Sequence, residues 1–438
     1  MNKKLIALAV AGALGAPLVA SAAPGDGVTL FGRAGIEYSS VSIDQTPGFG
    51  GSPAAGTPGF SDYRQETLAD NFGMSRWGLL IVEDLGGGLK ANARVEYHFR
   101  TGNGVPDLAR EQWVGLSHNA WGALQFGRVH SPFKDFAGGA SIDPFVTTSL
   151  QARGSGGAMY APSNGFGAGS FVDHAIRWNS PSWGPFSMAL LASPGDATQT
   201  DPTLPVGASA NAGNVGGKGG TNNYQLGLKF KIGAAGEIFG GYSNDEANDN
   251  QKAVLTNGRF GDDEQVWRLG TAWNFGNFRI AGQYDKIDNA LAGNGGATCG
   301  NGAAGVGGGP TGDPGISTQQ CNSSLNANGD GDIWFLTTQY KIGKTTLVLQ
   351  GGATKADSVS NAAGVVTANE REAKSLTLGA IHMLSKRTRV FGGYQRVSVD
   401  GARSFSNIQG APGTTAGTVV LAEQPDRSTW SIGMRHDF

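Results

Sequence analysis

The sequence predicts an all-β chain, a sixteen-stranded antiparallel β-barrel that spans a membrane, and three observations predict it. Hydrophobicity alternates with a period of two along segment after segment. The connections between those segments alternate between short and long. Composition is the third: glycine supplies 72 of 438 residues, about 16% against roughly 7% on average, and charged residues are only 16% against roughly 25%. Few charges and many glycines suit extended, turn-rich structure.

Other classes are disfavoured at this level. A formal net charge of -2 supplies no basic field for nucleic acid, so no nucleic-acid partner is expected. Two cysteines cannot make a four-ligand zinc site, and the six histidines lack metal-ligand spacing, so neither metal nor cofactor is expected.

The chain begins with Lys3 and Lys4, an apolar stretch from Leu5 to Val19, and Ala20-Ser21-Ala22, the pattern of an export signal with an A-x-A cleavage site. Residues 1–22 are therefore expected to be a signal peptide cleaved after Ala22, leaving 23–438 as one barrel domain. Beyond it the longest apolar run, Trp77 to Val82, is far short of the roughly 20 residues a spanning helix needs. A chain without such a helix can still live in a membrane if its strands close into a barrel, because closure pairs every edge.

The clearest strand is 90–100, with Lys90, Asn92, Arg94, Glu96, His98 and Arg100 on one face and Ala91, Ala93, Val95, Tyr97 and Phe99 on the other. The last segment repeats the pattern: Trp430, Ile432, Met434 and Phe438 share a face, with His436 its polar outlier. Sixteen such segments lie near 28–40, 72–85, 89–101, 110–118, 122–129, 171–179, 185–193, 222–232, 235–243, 264–275, 277–287, 331–342, 344–354, 374–383, 388–398 and 427–438. Tight connections such as Gly86-Gly87-Gly88, Gly276 and Gly343 alternate with long ones at 41–71, 102–109, 130–170, 194–221, 244–263, 288–330, 355–373 and 399–426. Short turns on one rim and long loops on the other are the outer-membrane pattern, and an even strand count puts both termini on the short-turn side. Barrels of sixteen to eighteen strands leave an aqueous channel. Polar inner positions such as Arg94 and Glu96 keep the lumen wet. Aromatics near segment ends, among them Tyr38, Trp178, Tyr242, Tyr284 and Tyr340, fit interfacial girdles.

Several stretches carry a resemblance. They are Val28-Thr29-Leu30-Phe31-Gly32-Arg33, Ser75-Arg76-Trp77-Gly78, Glu83-Asp84-Leu85-Gly86-Gly87-Gly88-Leu89-Lys90-Ala91, Val114-Gly115-Leu116 with Phe126-Gly127-Arg128, Ala175-Ile176-Arg177-Trp178-Asn179-Ser180-Pro181, and the terminal Gly433-Met434-Arg435-His436-Asp437-Phe438. In this order the chain resembles the trimeric general porins of Gram-negative outer membranes, most closely the betaproteobacterial branch. The resemblance implies passive diffusion of small hydrophilic solutes and ions, a homotrimer latched by loop 102–109, and contact with outer-membrane lipid and lipopolysaccharide. It also implies that Phe438 is the signal read by the β-barrel assembly machinery.

The same resemblance implies that the third long loop, 130–170, folds into the barrel and narrows it. Asp135 and Asp143 are its acidic candidates, although Asp143-Pro144-Phe145-Val146 stands where well-known members carry Pro-Glu-Phe-Gly. Arg33, Arg76, Arg128 and Arg177 match basic wall positions, and Arg94 joins them by parity. Parity places Arg128 with Leu124 and Phe126, so it faces inward only if Gly127 bulges or the strand ends there. Facing acidic and basic groups would set a transverse field across the constriction. Five basic candidates against two loop carboxylates point to a weak anion preference.

Cys299 and Cys321 share one loop; export makes a disulfide the expected state, with a nominal loop-entropy stabilisation of about 3 kcal/mol. Asp262-Asp263-Glu264 is a candidate for divalent cations bridging lipopolysaccharide, with a hydrated rim the stronger reading. A substrate-specific channel, which would carry an aromatic track, stays open as an alternative. An enzyme is not expected, since the histidines lack a matching serine motif, and no fixed period supports a solenoid.

Overall fold

The computed structural model describes residues 27–44, 62–70, 74–102, 108–152, 171–194, 222–246, 263–289, 330–357, 359–360, 366–368, 370–400, 403–406, 418–421 and 427–438. The export segment 1–22, its cleavage site, Cys299 and Cys321 lie outside the described residues.

The strands are, in chain order, β1 (Gly27–Asp44), β2 (Asp62–Ala69), β3 (Arg76–Gly86), β4 (Leu89–His98), β5 (Leu108–His118) and β6 (Gly122–His130). A short helix α1 (Pro132–Asp135) and a 3₁₀ turn (Gly139–Ser141) follow. Next come β7 (Phe171–Asn179), β8 (Phe186–Pro194), β9 (Asn222–Ile232), β10 (Gly236–Asp245), β11 (Glu264–Phe275), β12 (Phe278–Asp288), β13 (Gly331–Ile342) and β14 (Thr345–Ala356). The last are β15 (Val359–Ser360), β16 (Val366–Ala368), β17 (Arg371–Met383), β18 (Thr388–Asp400), β19 (Arg403–Ser406), β20 (Thr418–Leu421) and β21 (Arg427–Asp437).

Sixteen of these, β1, β3 to β14, β17, β18 and β21, form one antiparallel meander that closes on itself. The seam is β1, which pairs with β3 through Gly27–Arg33 and with β21 through Arg33–Ile43. At the lower end of the seam the Gly32 and Phe438 backbones exchange hydrogen bonds, Gly32 N to Phe438 O at 3.1 Å and Phe438 N to Gly32 O at 2.9 Å. Apart from β1 with 18 residues, the barrel strands have 9 to 13, matching the roughly 9–11 that a tilted strand needs to cross a bilayer.

The distribution of side chains is inside out relative to a soluble protein. Leu269, Leu336, Leu349, Leu376, Leu378 and Ile432 are exposed on the outer wall, while Gln225, Gln283, Thr337, Gln350, Thr377 and Gln395 are buried within. Aromatics bracket the leucine band: Tyr224, Trp267, Tyr284, Trp334 and Trp430 lie toward the long loops, and Phe230, Phe275, Phe278, Tyr340 and Phe438 toward the short turns, all exposed. Such girdles mark the two bilayer interfaces.

Two-residue turns open with Gly276 at φ 61° and Gly343 at φ 59°, the left-handed backbone that a type II′ hairpin requires at its first central position. Three segments expected as loop contain strand instead. β1 continues to Asp44 by pairing with β2 across Glu37–Asp44, and the hairpins β15–β16 and β19–β20 rise from the later long connections. These pieces extend beyond the apolar band, where neither face is lipid-covered, so hydrophobicity has no reason to alternate and the period-two signal is absent.

An arginine on the lipid face tests the inside-out reading. Leu349→Arg, in the leucine band, should destabilise the barrel by about 2–4 kcal/mol, and Ile342→Arg, beside a short turn, by about 0–1 kcal/mol. Urea titration of folding into lipid vesicles measures both. Equal effects would remove the assigned bilayer position.

Candidate pore constriction

After β6 the chain turns into the lumen. Ser131 caps α1, its Oγ accepting from Phe133 N at 3.0 Å and donating to Gln225 Oε1 on β9 at 2.7 Å. Arg268 on β11 donates through Nη1 to Phe133 O at 2.5 Å and Ala137 O at 3.0 Å. Its other nitrogens meet both oxygens of Asp285 on β12, at 2.7 and 2.9 Å, and both side chains are fully buried. Gln283 completes this anchor, accepting from Gly139 N at 2.6 Å while donating to Asp285.

The far end of the loop has a second anchor. Gln350 on β14 and Gln395 on β18 both donate to Leu150 O, at 3.0 and 3.1 Å. Glu37 on β1 accepts from Ser149 N at 2.9 Å and from Ser431 Oγ at 2.5 Å. Phe133, Phe145 and Leu150 are buried between these anchors. The described loop residues 131–152 therefore start beside β6 and β7, where Asp135 meets His130 and Arg177, and run along the wall formed by β9 to β12, β14, β18, β21 and β1, leaving the wall of β3 to β5 across the lumen.

That opposite wall is basic. Glu96 on β4 accepts from Arg76 at 3.2 Å and from Arg110 at 2.6 Å, and pairs with Arg94. Arg94 also reaches Glu111 at 2.9 Å. Arg33 stands beside Arg76 in register, is 4% exposed, and has no carboxylate partner among the described residues. Of the expected residues the structure thus brings together Arg33, Arg76 and Arg94. Arg177 lies further round, bonded to Asp135 at 3.0 Å.

Arg128 meets the condition set by parity. Gly127 adopts φ 133° and the β6–β7 register slips between Gly127 and Val129, a bulge that turns Arg128 inward. Its guanidinium pairs with Asp173 and lies 5.0 Å from the Phe171 ring, which Lys134 of α1 approaches at 3.8 Å and Arg110 at 4.9 Å.

The two loop carboxylates have different roles. Asp135 faces the wall, against Arg177 and against His130 at 3.4 Å. Burial disfavours its charged form, but Arg177 and His130 overrule that and hold its pKa well below the usual carboxylate range. Asp143 is buried within the loop itself, accepting from Phe145 N at 2.9 Å and Ala152 N at 2.7 Å. The expectation that it faces the arginines is corrected: the loop needs an acceptor for its own turns, and Asp143 supplies it.

Sequence reasoning missed Arg110, Glu111, Lys134, Phe171 and Arg268. Arg110 and Glu111 were invisible to parity because the β4–β5 register steps from Val95↔Gln112 to Tyr97↔Ala109, so that both oppose Glu96. Arg268 alternates inward beside the exposed Trp267 and Leu269, a signal that parity carries, but its contact with the loop is purely tertiary.

The model of a Gram-negative porin family matches residues 7–402. The chain belongs to that family. An outer membrane porin protein of Bordetella pertussis is 27% identical over 379 residues, covering 83% of this chain and 82% of that protein. Outer membrane porin protein 32 of Delftia acidovorans is 27% identical over 448 residues, with both chains fully covered. The solved anion-selective porin from Comamonas acidovorans superposes with a TM-score of 0.59 at 20% identity, covering 94% of this chain and 99% of that one. OmpF of Salmonella typhi, solved with daunomycin, gives 0.56 at 13%, covering 94% and 98%. The protein is a porin of the Gram-negative outer membrane, a water-filled channel for passive diffusion of small hydrophilic solutes and ions.

Two outcomes follow from the anchors. Arg268→Met would strand the Asp285 carboxylate and free two loop carbonyls, destabilising this porin by about 3–5 kcal/mol in urea titration, with noisier single-channel current. Asp135 has a depressed pKa, so the stability it contributes is present above about pH 4 and is lost only as pH falls through its folded pKa, below the usual range. The effect of Asp135→Asn on reversal potential should therefore be as large at pH 4.5 as at pH 7; a loss of that effect between the two would show an ordinary carboxylate.

Proposed function

We propose that this porin is a trimeric general-diffusion pore whose constriction prefers anions. One observation carries the preference: among the described residues, the guanidiniums of Arg76, Arg94 and Arg110 pair with only two carboxylates, Glu96 and Glu111, and Arg33 beside them pairs with none. The loop adds little negative charge to offset them, since Asp135 is paired with Arg177 and Asp143 is enclosed in the loop. The loop also adds the cation of Lys134 beside Phe171. Both sides of the passage are then basic or neutralised, and the field at the constriction favours negative solutes more than it orients dipoles across the lumen. The Comamonas acidovorans channel is named anion-selective, the same direction.

Arg76, Arg94 and Arg110 form the basic eyelet in this reading, Arg33 extends it sideways, and Arg128 and Arg177 line the approach beside α1. The trimer is supported by the outer wall of β3 to β6, where Ala91, Ala93 and Gly115 leave a groove of about 460 Å³ edged by Ile81, Val114 and Phe126. A neighbouring subunit would fill it, with loop 102–109 as the latch. Phe438, paired with Gly32 at the seam and presenting an exposed ring, is the residue we assign to recognition by the assembly machinery. Cleavage after Ala22, rim contacts with lipopolysaccharide and the Cys299–Cys321 disulfide complete the proposal. No catalytic role is assigned.

Planar-bilayer recording under a KCl gradient tests it. Conductance steps in groups of three with a reversal potential on the chloride side are expected, and Arg76→Gln with Arg110→Gln should move the reversal toward potassium. A cation-side reversal for the wild-type channel would overturn the anion preference.

A further inference from the structure

We propose that the short-turn end of the lumen holds a second anion site, separate from the constriction, formed by Arg389, Arg435 and Arg33 and suited to a phosphate-type oxyanion. The site rests on the channel being open to anions, and it concerns residues that none of the constriction contacts use, apart from Arg33.

The register creates the cluster. Arg389 on β18 stands directly across from Arg435 on β21, and Arg33 on β1 stands across from Asp437, two residues further along β21. All three face inward, because they alternate with the exposed Ile432, Met434 and Phe438 and share faces with the buried Phe391, Ser431 and Glu37. Like charges placed opposite one another on a sheet repel, and three adjacent strands carry them here.

The carboxylates nearby do not balance this charge. Arg435 pairs with Asp437 at 2.9 Å, and Phe438 O accepts from Gly32 N at 3.1 Å. The strongest charged neighbours of Arg33 are all arginines, namely Arg76, Arg435, Arg110 and Arg389. Those of Arg389 are Arg435 and Asp437. Among the described residues, Nε and Nη1 of Arg33 and Nε of Arg389 are buried with no hydrogen-bond acceptor, and Arg33 as a whole is 4% exposed. Buried charged donors without acceptors call for a partner that carries both negative charge and several oxygens. A guanidinium fork matches an oxyanion in geometry as well as charge, which chloride cannot exploit.

Position gives the site a role. Arg389 follows the turn at 384–387, and Arg435 lies three residues before the C-terminal Phe438. On the same wall, Glu37, itself bonded by Ser431, and Gln395 hold the inner loop further up the strands. An oxyanion that has cleared the constriction therefore meets this cluster next, before the short-turn mouth.

The test uses the full-length porin in a planar bilayer in KCl, with inorganic phosphate added at a pH where the dianion predominates. Phosphate should lower the chloride current in a saturable way. In the double variant Arg389→Gln/Arg435→Gln the half-effect concentration should rise about tenfold or more, the loss of at least one charge-assisted contact, whereas Arg76→Gln should shift it less. Phosphate should also raise the thermal unfolding midpoint of the wild-type barrel and not that of the double variant, which separates loss of the site from misfolding. No phosphate effect on the wild-type channel, a shift below twofold in the double variant, or an equal shift in Arg76→Gln would overturn the site. A wild-type channel with cation-side reversal that still shows the phosphate effect would overturn the constriction's preference and leave this site standing.

Discussion

The structure depends on one constraint: no backbone N–H or C=O at membrane depth can be left without a partner, because hydrocarbon offers none. The sheet can satisfy that only by closing, and the closure rests on β1, which is shared between β3 and β21 and finished by the exchange between Gly32 and Phe438. Once the sheet is closed, each strand has one face toward lipid and one toward water. The outer leucines with their aromatic borders and the inner glutamines, threonines and arginines follow from that division.

A lumen this wide cannot fill itself with side chains, so selectivity depends on what narrows it. The loop after β6 does this as a polar object held by polar anchors. Arg268 is the strongest of them, since one buried guanidinium meets both oxygens of Asp285 and two loop carbonyls. The ion pair orients the arginine, and the arginine then supplies the acceptors of an irregular backbone with donors they would otherwise lack. At the far end Gln350 and Gln395 do the same for Leu150 O, while Glu37 accepts from Ser149 N.

This arrangement changes how the charge in the pore is understood. A loop rich in free carboxylates would make a transverse field against the arginines. Here Asp143 serves the loop's own turns and Asp135 is matched by Arg177, so the surplus is positive. Phe171 helps hold it together, because its ring receives Lys134, Arg110 and Arg128 within 5.0 Å and a ring face favours cations without neutralising them.

The sequence by itself determined the barrel. All sixteen strands, the sorting of short and long connections and the inward parity of Arg94 were legible, because lipid on one face and water on the other impose a period of two on every crossing segment. Gly127 even allowed the bulge that turns Arg128 inward to be stated as a condition. Parity loses its force where that two-sided environment ends or the ladder slips. β2 lies beyond the lipid band, and Arg110 and Glu111 share one opposing position, so neither could be placed by counting. The tertiary structure alone decided that Asp143 turns into its own loop, that Arg268 clamps that loop, and that arginines from β18, β21 and β1 converge. Those outcomes depend on which distant strands face one another around the lumen, and alternation along a single strand carries no information about its partner across the pore.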